Sequence, residues 1–260
     1  MQKLLEGKKA IITGGLRGIG RVTALKLAQE GADVALINIG DDTGAETVKA
    51  AIMENNVKSI ALKCAPAKYS DVVAALNAVR DEFGGIDIIV NNTADMIDCL
   101  AHKITSTDFN VITAKNINDA YTIIKLLFQY FIEKKSGKIV NIGIANDVKL
   151  VMPHSDFQAA RASMLSLTKR VALELTEHNV FCNAVVPGYT DSDIMRSLPE
   201  ERREQIINTI PAKRLAAFSE IANAVVYMAS DLADYISGIV IKVDGARDLE
   251  KEEDQKKYRK

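Results

Sequence analysis

Short, nearly continuous apolar runs alternate with helix-length periodic segments along this chain, and no other feature restricts its folds as much. Ala10–Thr13, Asp33–Ile39, Ser59–Cys64, Ile86–Asn91, Lys138–Ile142, Val180–Val186 and Ile239–Val243 read as strands. Ile19–Glu30, Ala45–Asn55, Asp71–Phe83, Thr107–Lys134 and Phe157–Glu177 read as the helices between them, with further helices before the last strand. A run such as Ile86–Asn91, apolar at successive positions, is the pattern of a strand buried on both faces. Strict alternation builds βαβ units. The expected fold is therefore α/β, a single-domain Rossmann-type, doubly wound parallel sheet with helices on both faces. No internal repeat or composition break divides the chain, so one domain is expected over residues 1–249, with residues 250–260 a charged, solvated tail.

At 260 residues and 48% hydrophobic composition the chain can bury one sizeable core. Its formal net charge of −1, with both signs dispersed, gives no basic surface for nucleic acid or an anionic membrane. Cys64, Cys99 and Cys182 are odd in number and widely spaced, which suits a reducing compartment rather than a disulfide frame. His102, His154 and His178 make no pair with metal-ligand spacing, so no metal site is expected. The most apolar helical stretch, Tyr121–Ile132, contains Lys125 and Gln129 and is too short to span a bilayer. The polar start, Met1–Lys9, is not a signal peptide, and a cytoplasmic protein is expected.

Between the first strand and first helix lies Thr13-Gly14-Gly15-Leu16-Arg17-Gly18-Ile19-Gly20. Glycines there let the backbone turn sharply and approach a ligand, and the helix start favours a phosphate. This turn is similar to the TGxxxGIG turn of the short-chain dehydrogenase/reductase family. Asn91-Asn92-Thr93-Ala94 resembles its NNAG segment, Asn116 stands where its structural and catalytic asparagine is found, and Val186-Pro187-Gly188 resembles its PG segment beside the nicotinamide. Tyr235-Ile236-Ser237-Gly238 and Val243-Asp244-Gly245 resemble its closing strand. The resemblance runs from Gly7 to Gly245 and points to the branch containing the 3-oxoacyl carrier-protein reductases.

The resemblance implies hydride transfer between a nicotinamide and a carbonyl or alcohol. In the family a tyrosine exchanges the proton, a lysine one helical turn later tunes it and holds the nicotinamide ribose, and a serine bonds the substrate oxygen. Here those positions are Phe157, Arg161 and, thirteen residues before Phe157, Ile144. Phenylalanine has no ionisable proton, arginine has a very high pKa and another shape, and isoleucine has no donor. The acid–base contribution, typically about 10²–10⁴-fold, would be absent. Replacement proton donors to consider are Tyr121, Tyr189, His154, Ser155 and Asp156.

The resemblance also assigns a cofactor site: Gly14, Arg17, Gly18, Ile19 and Gly20 at the diphosphate, Asn38 at the adenosine ribose, and Asn91 in the NNAG segment. Asn38 replaces an Asp that favours NAD, and no basic residue follows it to receive a 2′-phosphate. Ala65 and Pro66 lack the side-chain acceptor and the N–H that bond adenine in the family, while Thr93 and Ala94 add atoms beside the cofactor. The turn therefore reads as vestigial, with no cofactor held by this chain, or NAD if any.

The surfaces that assemble family oligomers read as intact. The two long helices carry Ile123, Ile124, Leu126, Leu127 and Phe128, and Met164, Leu165 and Leu167. The family pairs these helices, and its closing strands, between subunits, and its substrate lid corresponds to Thr190–Arg214. The expectation is a non-catalytic subunit in a heterotetramer with a homologous active subunit, an NAD-dependent hydroxyacyl-CoA-type dehydrogenase. The alternatives are an active NAD-dependent oxidoreductase with a relocated proton donor and a ligand-sensing regulatory module.

Overall fold

The structure, a computed structural model, describes residues 3–38, 43–64, 68–93, 102–143, 155–247 and 249, with the backbone alone for 155–158. Ile144, His154, Ala65, Pro66, Ala94, Cys99 and the tail at 250–260 lie outside the described residues.

Among the described residues, seven parallel strands form one sheet in the order β3-β2-β1-β4-β5-β6-β7. They are β1 (Lys9–Thr13), β2 (Asp33–Asn38), β3 (Ser59–Lys63), β4 (Ile88–Asn91), β5 (Gly137–Ile142), β6 (Val180–Pro187) and β7 (Val240–Val243). The chain winds outward from β1 to β3, then returns to lay β4 on the other side of β1. That reversal at β1 and β4 opens a crevice at the carboxyl ends of the strands, the usual ligand position in such sheets.

Alternation along each strand sorts the core into two layers. Ile12, Leu36, Ile88 and Val90 pack with α1 (Gly18–Gln29), α2 (Ala45–Met53) and α9 (Phe218–Ala229). Ile11, Ile37, Ile89 and Ile139 pack with α3 (Tyr69–Phe83), α5 (Asp119–Lys134) and α6 (Ser155–Leu175). Each such fully buried side chain contributes roughly 1.5–3 kcal/mol of transfer free energy, and the first three residues of each strand set are wholly inaccessible. The expected fold class is the one found.

The long helix expected from Thr107 has a finer structure. It comprises α4 (Ser106–Thr113), a π-helical turn at Ala114–Asn118, and α5. Thr105 caps its start, accepting from the Asp108 N–H at 3.1 Å. The expected lid contains α7 (Asp193–Ser197) and α8 (Glu200–Thr209). One expectation about the helix faces needs correction. Ile123, Ile124, Leu127 and Met164 are buried in this chain's own core, not on an outer face. Leu126, Phe128, Leu165 and Leu167 of the apolar set are partly buried. The period of an amphipathic helix cannot separate a wide core stripe from an interface stripe, because both are apolar.

Candidate functional site

The glycine turn leaves β1 at Thr13 and enters α1 at Gly18. Gly14 has φ +65° and Gly18 φ +54°, the left-handed region that favours glycine. A Cβ on Gly20 would lie 2.1 Å from the Gly14 carbonyl oxygen and 2.5 Å from Asn92 Nδ2, so packing alone requires glycine there. A Cβ on Gly18 would meet nothing nearer than the Phe218 ring, at 3.9 Å. Gly18 thus has room for a Cβ in ordinary contact with Phe218, while Gly20 is fixed by the fold.

Asn92 and Thr13 lock this turn to the end of β4. Asn92 Nδ2 donates to the carbonyls of Thr13 and Gly14, both at 3.1 Å, and Thr13 Oγ1 accepts from the N–H groups of Asn92 and Thr93 at 2.9 and 3.0 Å. Asn91, expected at the cofactor, instead sends its amide inward. Its Nδ2 donates to Asn141 Oδ1 at 2.7 Å, and Asn141 donates to Thr168 Oγ1 at 2.8 Å. This buried chain ties β4 to β5 and α6. Thr93 Oγ1 stands 3.4 Å from where a Cβ on Gly14 would be.

Asn38 ends β2, and strand alternation puts its side chain on the same face as Leu36, which packs beneath Gly15. The Asn38 amide therefore lies beside the glycine turn. It is 4% exposed, and among the described residues neither Nδ2 nor Oδ1 has a hydrogen-bond partner. Ile19 is partly buried on the core, and Arg17 is exposed at the helix cap.

Arg161 lies four residues after Phe157 on α6, so the two positions share a helix face. Its side chain is turned into the protein and is 2% exposed. Nη1 donates to the Ile142 carbonyl, and Nη2 donates to the carbonyls of Asn92, at 3.1 Å, and Thr93. The guanidinium thus joins the carboxyl ends of β4 and β5. Burial pulls its pKa down to about 10, still far above neutrality, so it stays charged. The sequence allowed it to bond a ribose hydroxyl; the structure directs it to backbone carbonyls instead. The Ile144 position lies outside the described residues, and of Phe157 only the backbone is described.

Asn116 occupies the π-helical turn and is buried, its Nδ2 donating to the Ile112 carbonyl at 2.8 Å. Such turns recur at functional sites. One turn on, Asp119 is buried at the start of α5, beside a cavity lined by Thr13, Asn91, Thr93, Lys115 and Asn116. Burial raises the Asp119 carboxyl to about 7, against the opposing pull of Lys115. Sequence reasoning passed over this residue. Its signal was present, since Asp119 shares the spacing of Ala120, Ile123, Ile124 and Leu127 on the buried face of α5. Cys64, at the end of β3, is a free thiol raised to about 11, by burial first and then by Asp71 and Asp119.

The two phenols considered as proton donors are engaged elsewhere than with Arg161 or Asn116. Tyr121 is 49% exposed and lines a groove between α5 and α6. The Tyr189 hydroxyl accepts from Arg247 at 3.3 Å, and the Arg247 guanidinium stacks 4.2 Å from its ring centroid. Among the described residues no group of three or more His, Cys, Asp or Glu side chains is arranged to hold a metal ion, and no helix is long and apolar enough to cross a membrane.

A family model described as enoyl-(acyl carrier protein) reductase matches residues 14–246. The chain is 33% identical over 238 residues to the 3-oxoacyl-[acyl-carrier-protein] reductase FabG of Staphylococcus epidermidis, covering 92% of this chain and 98% of that one. It is equally 33% identical to the FabG of Vibrio harveyi over 241 residues, covering 93% and 97%. Among solved structures, levodione reductase superposes with a TM-score of 0.87 at 26% identity, covering 94% of this chain and 98% of that one. NAD⁺-bound xylitol dehydrogenase does so with a TM-score of 0.87 at 25% identity, covering 93% and 99%. The chain belongs to the short-chain dehydrogenase/reductase family of oxidoreductases.

A nicotinamide dinucleotide is the group this family implies, and the residues present fit only part of it. At the adenosine end, Gly18 leaves a cradle that a Cβ would partly fill, and the Asn38 amide lacks a partner among the described residues. At the nicotinamide end, the family's ribose-holding position is Arg161, whose donors point to the protein's own backbone. That end does not fit.

Proposed function

We propose that this chain is a non-catalytic member of its family that supports an active, NAD-dependent hydroxyacyl-CoA-type dehydrogenase subunit in a hetero-oligomer. One observation carries the reading: the Arg161 guanidinium, at the position of the family's catalytic lysine, is buried and bonded to the carbonyls of Ile142, Asn92 and Thr93. Its partner position is Phe157, which has no proton to exchange. A cation used as a backbone clamp neither tunes an acid nor presents donors to a substrate.

The assembly half of the proposal rests on the outer side of α5 and α6. Tyr121, Phe128 and Leu167 line a groove of about 470 Å³ there, floored by the buried Ile124 and Val171 and edged by Lys125, Arg170 and Glu174. Leu173, 74% exposed on α6, stands in the same stretch. Apolar surface with a charged rim of both signs suits a homologous helix pair. We assign the partner as a family member with serine, tyrosine and lysine intact, in a heterotetramer. More narrowly, overall resemblance and the kind of loss favour the silent subunit of the complex that oxidises 2-(hydroxybenzyl)succinyl-CoA in anaerobic toluene degradation.

The second reading, a relocated proton donor, draws on Asp119, whose carboxyl titrates near 7. The cavity beside it, about 10 Å³, holds a single water at most, since a water needs about 10–15 Å³. No substrate carbonyl fits there. Assaying the purified chain with NAD⁺ and NADP⁺ across hydroxyacyl-CoA and alcohol substrates separates the two readings. The proposal expects no turnover. Turnover by the chain alone, abolished by Asp119→Asn, would establish the second reading instead.

A further inference from the structure

The segment that carries α7 and α8, residues 188–217, spans the carboxyl edge of the sheet. It leaves at Pro187, the end of β6, and returns at Phe218, the start of α9. The Phe218 ring is the nearest group to a Cβ built on Gly18, at 3.9 Å. The ends of the segment therefore stand at β6 and at the turn after β1, on either side of the crevice. Its base is pinned. Thr190 and Ala216 form a parallel bridge, with the Ala216 N–H donating to the Tyr189 carbonyl and the Asp191 N–H to the Ala216 carbonyl, both at 2.9 Å. Beyond the base the packing is thin: of the ten residues of α8, Ile206 is buried and most others are exposed. A helix with so little buried surface opens easily unless something else holds it.

We infer that Arg247 is a latch, by which the turn after β7 holds the α7–α8 segment down across the mouth of the crevice. The chain reverses through residues 244–247. The Arg247 N–H donates to the Asp244 carbonyl at 3.3 Å, and both central residues are left-handed, Gly245 at φ +65° and Ala246 at φ +66°. Glycine adopts that conformation freely, whereas an alanine held there is strained and persists only where its surroundings fix it. The Ala246 N–H is held by Asp244 Oδ1 at 3.0 Å. The turn brings two groups onto the segment. The Gly245 carbonyl accepts from the Ala212 N–H at 3.2 Å, so close that a Cβ on Gly245 would lie 2.9 Å from Ala212 Cβ and 3.0 Å from Ile210 Cγ2. The Arg247 guanidinium lies 4.2 Å from the Tyr189 ring centroid, donates from Nη2 to the Tyr189 hydroxyl at 3.3 Å, and reaches Thr209 Oγ1 from Nε at 3.5 Å. One planar cation thus joins Tyr189, where the segment leaves the sheet, to Thr209, the last residue of α8. A guanidinium can stack on a ring and spread its donors to two partners; an ammonium has no such face. Opening the crevice on this side therefore requires Arg247 to let go. The latch is independent of the assembly proposal, since an active enzyme could carry it equally well.

Hydrogen-exchange mass spectrometry of the full chain tests it. Arg247 is half-exposed, so Arg247→Ala should leave the rest of the fold intact. The expected result is amide exchange at least tenfold faster over residues 192–212, with exchange in α5 unchanged. Arg247→Lys, which keeps the charge and loses the planar fork, should fall between the two. Tyr189→Leu should speed the same residues, and combining it with Arg247→Ala should add little, because both remove one contact. Unchanged exchange over residues 192–212 in the folded Arg247→Ala variant would overturn the inference. So would a rise shared equally by α5, which marks general destabilisation, or full additivity of Tyr189→Leu and Arg247→Ala.

Discussion

Arg161 Nη2 donates to the carbonyl oxygen of Asn92 at 3.1 Å, across sixty-eight intervening residues. The same Asn92 holds the carbonyls of Thr13 and Gly14 with its side chain. One buried cation is therefore linked, through one asparagine, to the turn that opens the nucleotide crevice. The family resemblance assigns that position to a cofactor-holding lysine; here it braces β4 against β5.

Arg161→Met removes the donors of three backbone carbonyls. Hydrogen bonds to a charged group contribute about 1.5–3 kcal/mol each, and relief of the buried charge returns part of that, so a net loss of about 2–4 kcal/mol is expected. Arg161→Lys keeps a cation but not the planar fork, and about half that loss is expected. Urea unfolding reads both. A neutral Arg161→Met variant would show that the clamp does not hold the strand ends.

Asp119 gives stability a particular pH dependence. Its carboxyl is raised from 3.8 unfolded to about 7 in the fold. Below the lower value both states are protonated. Between the two the folded state binds more protons, so stability falls as pH rises, by at most about 1.4 kcal/mol per unit. Above about 7 both states are ionised and the loss levels off. Asp119→Asn should flatten this slope and raise the urea midpoint at pH 8. An unchanged profile would mean that the carboxyl is not buried uncompensated.

Gly18 and Gly20 should respond differently to one methyl group. Gly20→Ala drives a Cβ into the Gly14 carbonyl and Asn92, so a loss of about 3 kcal/mol or more is expected. Gly18→Ala meets no neighbour closer than 3.9 Å, and only the left-handed backbone cost of about 1–2 kcal/mol remains. Equal losses in thermal unfolding would remove the distinction between a fold-required glycine and a ligand-facing one.

Leu173→Glu tests the assembly face. At 74% exposure it should change the stability of the isolated chain by less than about 0.5 kcal/mol. In a mixed complex it would bury an unpaired carboxylate, so analytical ultracentrifugation of the co-expressed pair should show dissociation. A complex of unchanged mass would place the contact elsewhere.

Much of the fold was legible because continuous apolar runs such as Ile86–Asn91 have few alternatives to a central parallel strand. The π-helical turn at Ala114–Asn118 was not, since the apolar period passes through it unbroken. Asn38 was legible as a position, but its lack of a partner depends on the other elements around it. The direction of Arg161 was least legible. A long cation on a helix usually reaches solvent, and here the carbonyls at the ends of two neighbouring strands capture it. The catalytic substitutions could be read directly, because Phe157 lacks a proton in any conformation.

The most direct test of the account is the composition of the complex purified from the chain's own cell, measured by native mass spectrometry. The account predicts a mixed assembly in which every copy is joined by a relative carrying serine, tyrosine and lysine at the positions of Ile144, Phe157 and Arg161, with turnover confined to that relative. A homo-oligomer of this chain alone, turning over a hydroxyacyl-CoA with NAD⁺, would contradict it.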